Sequence, residues 1–124
     1  HWERQIRRVL TSELYPMIYI PTTHPIMNQL FHVSKIPQIP NMGFWYNPER
    51  GNRDKTSERG EDSKDVHFRG IEDKKGRLIV VMTHNTDIAD TWEREGENIG
   101  EYFLKFSPEG YAIGINIFLY ALSH

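Results

Sequence analysis

The chain reads as one α/β domain, and three stretches carry that reading. Leu78-Ile79-Val80-Val81-Met82 is an unbroken apolar run of strand length, the pattern of a strand covered on both faces. Val66 to Ile71, just before it, alternates, and Glu72-Asp73-Lys74-Lys75-Gly76 between the two is a turn ending in glycine, which supplies positive φ. The pair is expected to form a β-hairpin over 66–71 and 77–83, the alternating strand at the edge and the apolar one central. The chain closes on a long apolar helical pattern, so a helix packs against this sheet.

In chain order, Trp2 to Leu10 predicts an amphipathic helix, with Ile6, Val9 and Leu10 on one side and Arg4, Arg7 and Arg8 elsewhere. Met17 to Ile20 is a short strand after Pro16. Pro21 to Ile26 is then a tight polar loop in which Pro25 pushes His24 toward an extended backbone and opens a short helical turn over Ile26 to Phe31. Ile36-Pro37-Gln38-Ile39-Pro40 is extended, and its prolines keep it at an edge or outside the sheet ladder. Phe44-Trp45-Tyr46 suits core or edge-strand packing, with ring stacking on a ligand as the second use. Asn47 to Lys64 is a charged loop almost without apolar residues, of a length that is usually mobile or functional.

On the hairpin, Val66, Phe68 and Gly70 fall on one face and His67, Arg69 and Ile71 on the other. Ser107-Pro108 predicts a helix start, since serine caps and proline suits the first helical position, so the last helix is expected over Pro108 to about Leu122. Tyr111, Ile115, Phe118 and Leu122 follow one helical row, while Ile113, Ile117, Tyr120 and Ala121 populate another side, so burial on more than one side is expected. Gly110 and Gly114 allow a neighbour to approach closely, and Asn116 needs a partner if it is buried.

With 124 residues, the chain suffices for one core, residues 1–124. A net charge of −2 with no basic stripe argues against nucleic acid as a partner. No apolar run reaches the roughly 18–20 residues that span a bilayer, so this segment is not expected to insert into a membrane. The absence of cysteine removes a cysteine nucleophile, a disulfide and a cysteine zinc site from this chain. A glycine-rich phosphate loop and a nucleophile elbow are also absent. Opening directly on helical pattern at His1-Trp2-Glu3, without a signal-peptide pattern, the sequence reads as a piece of something longer.

The candidate site follows the apolar strand. His84-Asn85-Thr86-Asp87 puts an imidazole, an amide, a hydroxyl and a carboxylate in four successive positions, where α/β sheets gather ligands. His84 and His24 suit general acid–base work, with Asp87 or Glu93 orienting. Asn85, Trp92, Glu93, Arg59 and Arg69 are candidate ligand-binding residues, and Arg59 has the fork to clamp a carboxylate or phosphate. No metal site is assigned; a divalent metal is the one cofactor admitted, on His84, Asp87 and His24 with Asp90 in reserve, although their spacing is no recognised ligand set. The same polar run also serves as a loop that satisfies its own backbone donors.

These residues resemble a bacterial family, domain of unknown function 4159. The matching pieces are His24-Pro25-Ile26, Ile36 to Pro40 with Phe44-Trp45, Thr56-Ser57-Glu58-Arg59-Gly60 and Phe68-Arg69-Gly70-Ile71. They continue through Gly76-Arg77-Leu78, His84 to Asp87, Trp92 to Glu97, and Gly114-Ile115-Asn116 with Tyr120-Ala121. The resemblance implies a glutamine-amidotransferase-like (flavodoxin-like) three-layer sandwich with a mixed sheet, a C-terminal hairpin and a buried C-terminal helix. The chain would be the C-terminal part of such a domain. A weaker similarity reaches the sugar-utilisation branch of that fold, where an aspartate commonly precedes the His-Pro pair; Thr23 stands there here. The resemblance implies a bacterial protein and leaves its compartment open between the cytoplasm and the cell envelope or periplasm. The function expected is a non-catalytic binding or assembly module. It would meet its own N-terminal half or a second copy of the chain, and a small polar ligand. The alternative is a hydrolase-like enzyme acting on a small polar substrate, sugar-like among the options.

Overall fold

A computed structural model describes residues 2–49, 53–93, 95–96 and 100–124. The elements run α1 (Trp2–Ile6), β1 (Met17–Tyr19), a 3-10 turn (Pro25–Asn28), α2 (Met42–Tyr46), a second 3-10 turn (Gly60–Ser63), β2 (His67–Glu72), β3 (Leu78–His84), α3 (Asp90–Glu93) and α4 (Gly100–Ser123). The three strands form an antiparallel sheet in the order β1-β2-β3. The chain is therefore mixed α/β, with a small antiparallel sheet and a long C-terminal helix.

The hairpin forms as expected. Its register pairs His67 with His84, Arg69 with Met82 and Ile71 with Val80. Gly76 takes φ 75°, and Asp73 ties the turn by accepting from the backbone N–H groups of Lys75 and Arg77 and from the Arg77 side chain. The order of the strands corrects the expectation. β2 pairs on both sides and is central, whereas β3, with the sheet-centre composition, lies at the edge among the described residues, and Ile79 is 46% exposed. Alternation did not mark an edge here, because Arg69 and His67 lie along a sheet face whose polar ends stay accessible.

α1 is shorter than the periodicity predicts. Beyond Ile6 the backbone bonds mix i−3 and i−4 partners, Arg7 turns back onto the Tyr15 carbonyl, and Val9 is exposed. Phe44-Trp45-Tyr46 lies in the helix α2, capped by the Asn41 side chain, which accepts from Gly43 N–H and Phe44 N–H. Trp45 is buried against Phe106 and Tyr102. Of the charged loop from 47 to 64, residues 50–52 lie outside the described residues, as do 94 and 97–99 before α4.

α4 begins at Gly100, not at Ser107-Pro108. An internal proline costs a helix about 3 kcal/mol. Tyr102, Phe103 and Phe106 are all buried on the turns before it, and each contributes roughly 1.5–3 kcal/mol, which outweighs the break. Ser107 is no cap: its buried hydroxyl donates to the Thr91 carbonyl, 2.7 Å away. Burial is also one-sided. Ile113, Asn116 and Tyr120 face the core that they share with Phe68, Ile26 and Met27, while Leu104, Phe118 and Leu122 are 82%, 73% and 78% exposed. Gly110 and Gly114 do permit close approach: a methyl group at either would overlap the side chain of Thr91 or Trp92. Asn116 finds its partners, accepting from the N–H groups of Leu30 and Phe31 and donating to the Phe31 carbonyl.

Candidate functional site

β3 ends at His84, and the chain turns at Asn85, which takes φ 61°. Asparagine tolerates this left-handed conformation better than most side-chain-bearing residues. Its amide then holds two segments, donating to the Asp65 carbonyl at 2.7 Å and accepting from Arg59 Nη2 at 3.2 Å. Thr86 replaces a strand partner for the proline-rich segment beside it. Its hydroxyl donates to the Pro37 carbonyl and accepts from Ile39 N–H, and Asp87 N–H donates to the Ile39 carbonyl.

Asn41 joins three carboxylates. Its backbone N–H donates to Glu58 Oε1 at 2.7 Å, and its side-chain amide donates to Asp90 Oδ2 at 2.9 Å and to Asp87 Oδ2 at 3.3 Å. Asp90 is buried and also accepts from Met42 N–H, so it fixes the start of α2. These contacts leave a cavity of about 360 Å³ between Thr56, Glu58, Arg59 and Ser63 on one wall and His84 to Asp87 on the other. A second hollow of about 400 Å³, beside Asn41 and Phe44, shares Glu58 and Arg59 with it.

Every hydroxyl on the cavity wall is engaged. Thr56 donates to Gln38 Oε1, Ser63 bonds to Ser57 Oγ and accepts from Arg59 N–H, and Thr86 is held as described. The groups with remaining capacity are the His84 ring, the Arg59 fork and the carboxylates of Glu58 and Asp87. Burial holds the His84 pKa below its ordinary value, and His67, Arg59 and Arg69 push it the same way. His84 is therefore a neutral imidazole near pH 7.

Of the expected site residues, His84, Asn85, Asp87 and Arg59 share the cavity. His24 does not line it. Its Nδ1 accepts from Ile26 N–H at 3.1 Å, capping the 3-10 turn, and its ring lies 5.4 Å from that of Tyr120. Burial lowers its pKa, with opposing effects from Glu72 and His124. Trp92 packs on Gly114 and Tyr111, and Glu93 is exposed at the end of α3. Arg69 stands on the sheet face with His67 and His84, its guanidinium 4.9 Å from the Tyr19 ring centroid. Among the described residues, no three histidine or carboxylate side chains converge to hold a metal ion. Asn41, Gln38 and Ser63 were missed from the sequence. Asn41 had a readable signal, since an asparagine before Met42-Gly43-Phe44 has the form of a helix cap.

A second feature lies on the outer side of α4. Trp92, Tyr111, Ile115, Phe118, Leu119 and Leu122 line an apolar groove of about 520 Å³. From Gly110 to Ser123 the helix carries no charge. No helix among the described residues is long and apolar enough to cross a membrane.

No curated protein and no solved structure matches the chain. The family model described as domain of unknown function (DUF4159) matches residues 2–122, almost the whole length, and the chain belongs to that family.

Proposed function

We propose that this chain is a non-catalytic binding and assembly module whose cavity at the end of β3 takes a small polar ligand. The observation that carries this is the state of the cavity wall: the hydroxyls of Thr56, Ser63 and Thr86 are all committed to the protein, while Arg59, Glu58, His84 and Asp87 still offer hydrogen-bonding capacity. Such a wall binds and orients, and it presents no activated nucleophile. Thermal melting of the protein against a panel of small polar compounds tests it. A ligand at 100 times its Kd raises stability by about 2.7 kcal/mol. No stabilisation by any compound, or stabilisation that Arg59→Ala and Asn85→Ala leave untouched, refutes a site here.

The assembly part rests on two surfaces that ask for different partners. β3 has the composition of a central strand with an unpaired outer edge among the described residues, and the outer row of α4 (Leu104, Tyr111, Ile115, Phe118, Leu122) has the 3–4 spacing of a helix seam. A strand and a helix are both wanted, which suits an α/β segment better than a second α4. The occupant we infer is the N-terminal half of an amidotransferase-like domain, with the present chain as its C-terminal part. Hydrogen exchange on the longest natural form of the protein should find the outward amides of β3 and the α4 seam protected. A doubled mass with those surfaces protected would assign them to a second copy instead.

A hydrolase-like activity on a small polar substrate is the second reading, favoured by the neutral His84 imidazole, which can accept a proton from water at pH 7. Asp87 would orient it, although the Asp87 carboxylate is already held by Asn41. Turnover of any bound compound that His84→Ala abolishes, with binding retained, would favour this reading over the first.

A further inference from the structure

The sheet face beside His84 carries a continuous row of rings and cations. The Arg69 guanidinium lies over Tyr19, the Tyr19 ring meets His67 edge-on at 6.1 Å, and His67 stacks on His84 at 5.6 Å with 17° between the planes. From the loop, Arg59 reaches Asn85, a neutral acceptor next to His84. Among the described residues, the ion pairs are Arg53–Glu101, Lys64–Glu61 and Arg77–Asp73, so neither Arg59 nor Arg69 holds a carboxylate. Arg69 Nε is buried and has no hydrogen-bond partner among the described residues.

The carboxylates of the cavity are arranged the other way round. Glu58 and Asp87 are both drawn toward Asn41. An anionic group is thus repelled from the Asn41 side and attracted to the sheet side. After burial, His67 and the guanidinium groups of Arg59 and Arg69 are among the groups that lower the His84 pKa.

We propose that Arg59, Arg69, His67 and His84 form a subsite for the oxyanion of the ligand, a phosphate or carboxylate, whose polar body lies in the adjoining cavity. The inference rests on that cavity being a ligand site. Arginine forks match either oxyanion in two-point contact, and each histidine adds one N–H donor.

The test follows the histidine ring signals by NMR at fixed pH and ionic strength, with inorganic phosphate, acetate and the neutral sugar glucose as probes. Phosphate or acetate should move His67 and His84 together and saturably, and the tighter of the two names the oxyanion. Arg69→Met, which keeps an apolar stem beside Tyr19, should weaken that binding by about tenfold or more. Arg59→Gln, on the exposed loop, should do likewise if Arg69→Met does not fold. Lys75→Met removes a distant surface charge and should change nothing. Failure of both anions to move the rings, or equal weakening by Lys75→Met, overturns the subsite. If glucose moves the Asn85 amide while the anions leave His67 and His84 unmoved, the cavity stands and the subsite falls. If no probe moves any of these signals, the subsite falls, and the panel of small polar compounds decides the cavity.

Discussion

The two faces of α4 are both apolar and meet opposite environments. On the inner face, Ile113 and Tyr120 are buried with Asn116, and Gly110 lets Thr91 reach the helix backbone. On the outer face, Leu104, Phe118 and Leu122 are largely exposed. Composition is thus a poor guide to which side of this helix holds the chain together. The inner face is marked by residues that fit only one neighbour: a glycine under a side chain, and an asparagine that closes three backbone groups of the 30–31 segment. The outer face is met by the Trp92 ring at Tyr111 and Gly114, and beyond that it presents a row of spacing suited to another helix.

Substitutions separate the two faces, and the largest effect is expected at Asn116. Asn116→Ala strands the N–H groups of Leu30 and Phe31 and the Phe31 carbonyl, and should destabilise the fold by about 3 kcal/mol in chemical denaturation. A loss below 1 kcal/mol would mean that water replaces the amide and that the inner face is less exacting than its geometry. Gly110→Ala forces a methyl group into Thr91 and should cost about 2 kcal/mol. The double change with Thr91→Gly should recover part of that loss, and no recovery would point to a backbone cause.

On the outer face, Phe118→Ser should alter the stability of residues 1–124 by no more than about 0.5 kcal/mol, as for other exposed positions. The same change in the longest natural form should be far more harmful if the N-terminal half covers the seam. Equal, small effects in both would leave the outer face without that role.

The smallest expected effect is on pH dependence. His84 and His24 both have native pKa values below the ordinary 6.5. The unfolded chain therefore binds protons more readily than the folded one in that region. Their contribution is complete above about 6.5 and is lost as pH falls through the lower native values. Denaturation midpoints at pH 7.5 and 5.5 should show the decline, and His84→Gln should flatten it. Asp73 behaves separately: the backbone N–H and side chain of Arg77 hold its pKa down to about 2, so its contribution persists above the ordinary carboxylate range and fades only in strong acid.

Local chemistry determined a good part of this protein in advance. The hairpin was legible because Gly76 must supply a positive φ between two strand-like runs, and β-strand alternation put His67 and Arg69 on one face. The need of Asn116 for a partner, once buried, was legible because a buried amide cannot go unanswered, and the close approaches at Gly110 and Gly114 because only glycine leaves that space. The place of the cavity followed from polar residues gathered where an apolar strand ends. Tertiary structure decided what local rules could not. Strand order depends on which edges find hydrogen-bonding partners, and this put the alternating β2 at the centre and the apolar β3 at the side. The start of α4 depended on burial of Tyr102, Phe103 and Phe106, which overrode the local signal of Ser107-Pro108. The cavity wall depended on Asn41 meeting Glu58, Asp87 and Asp90, and on His24 being used as a cap away from it. These are contacts between residues distant in the chain, and no spacing in the sequence records the distances that make them.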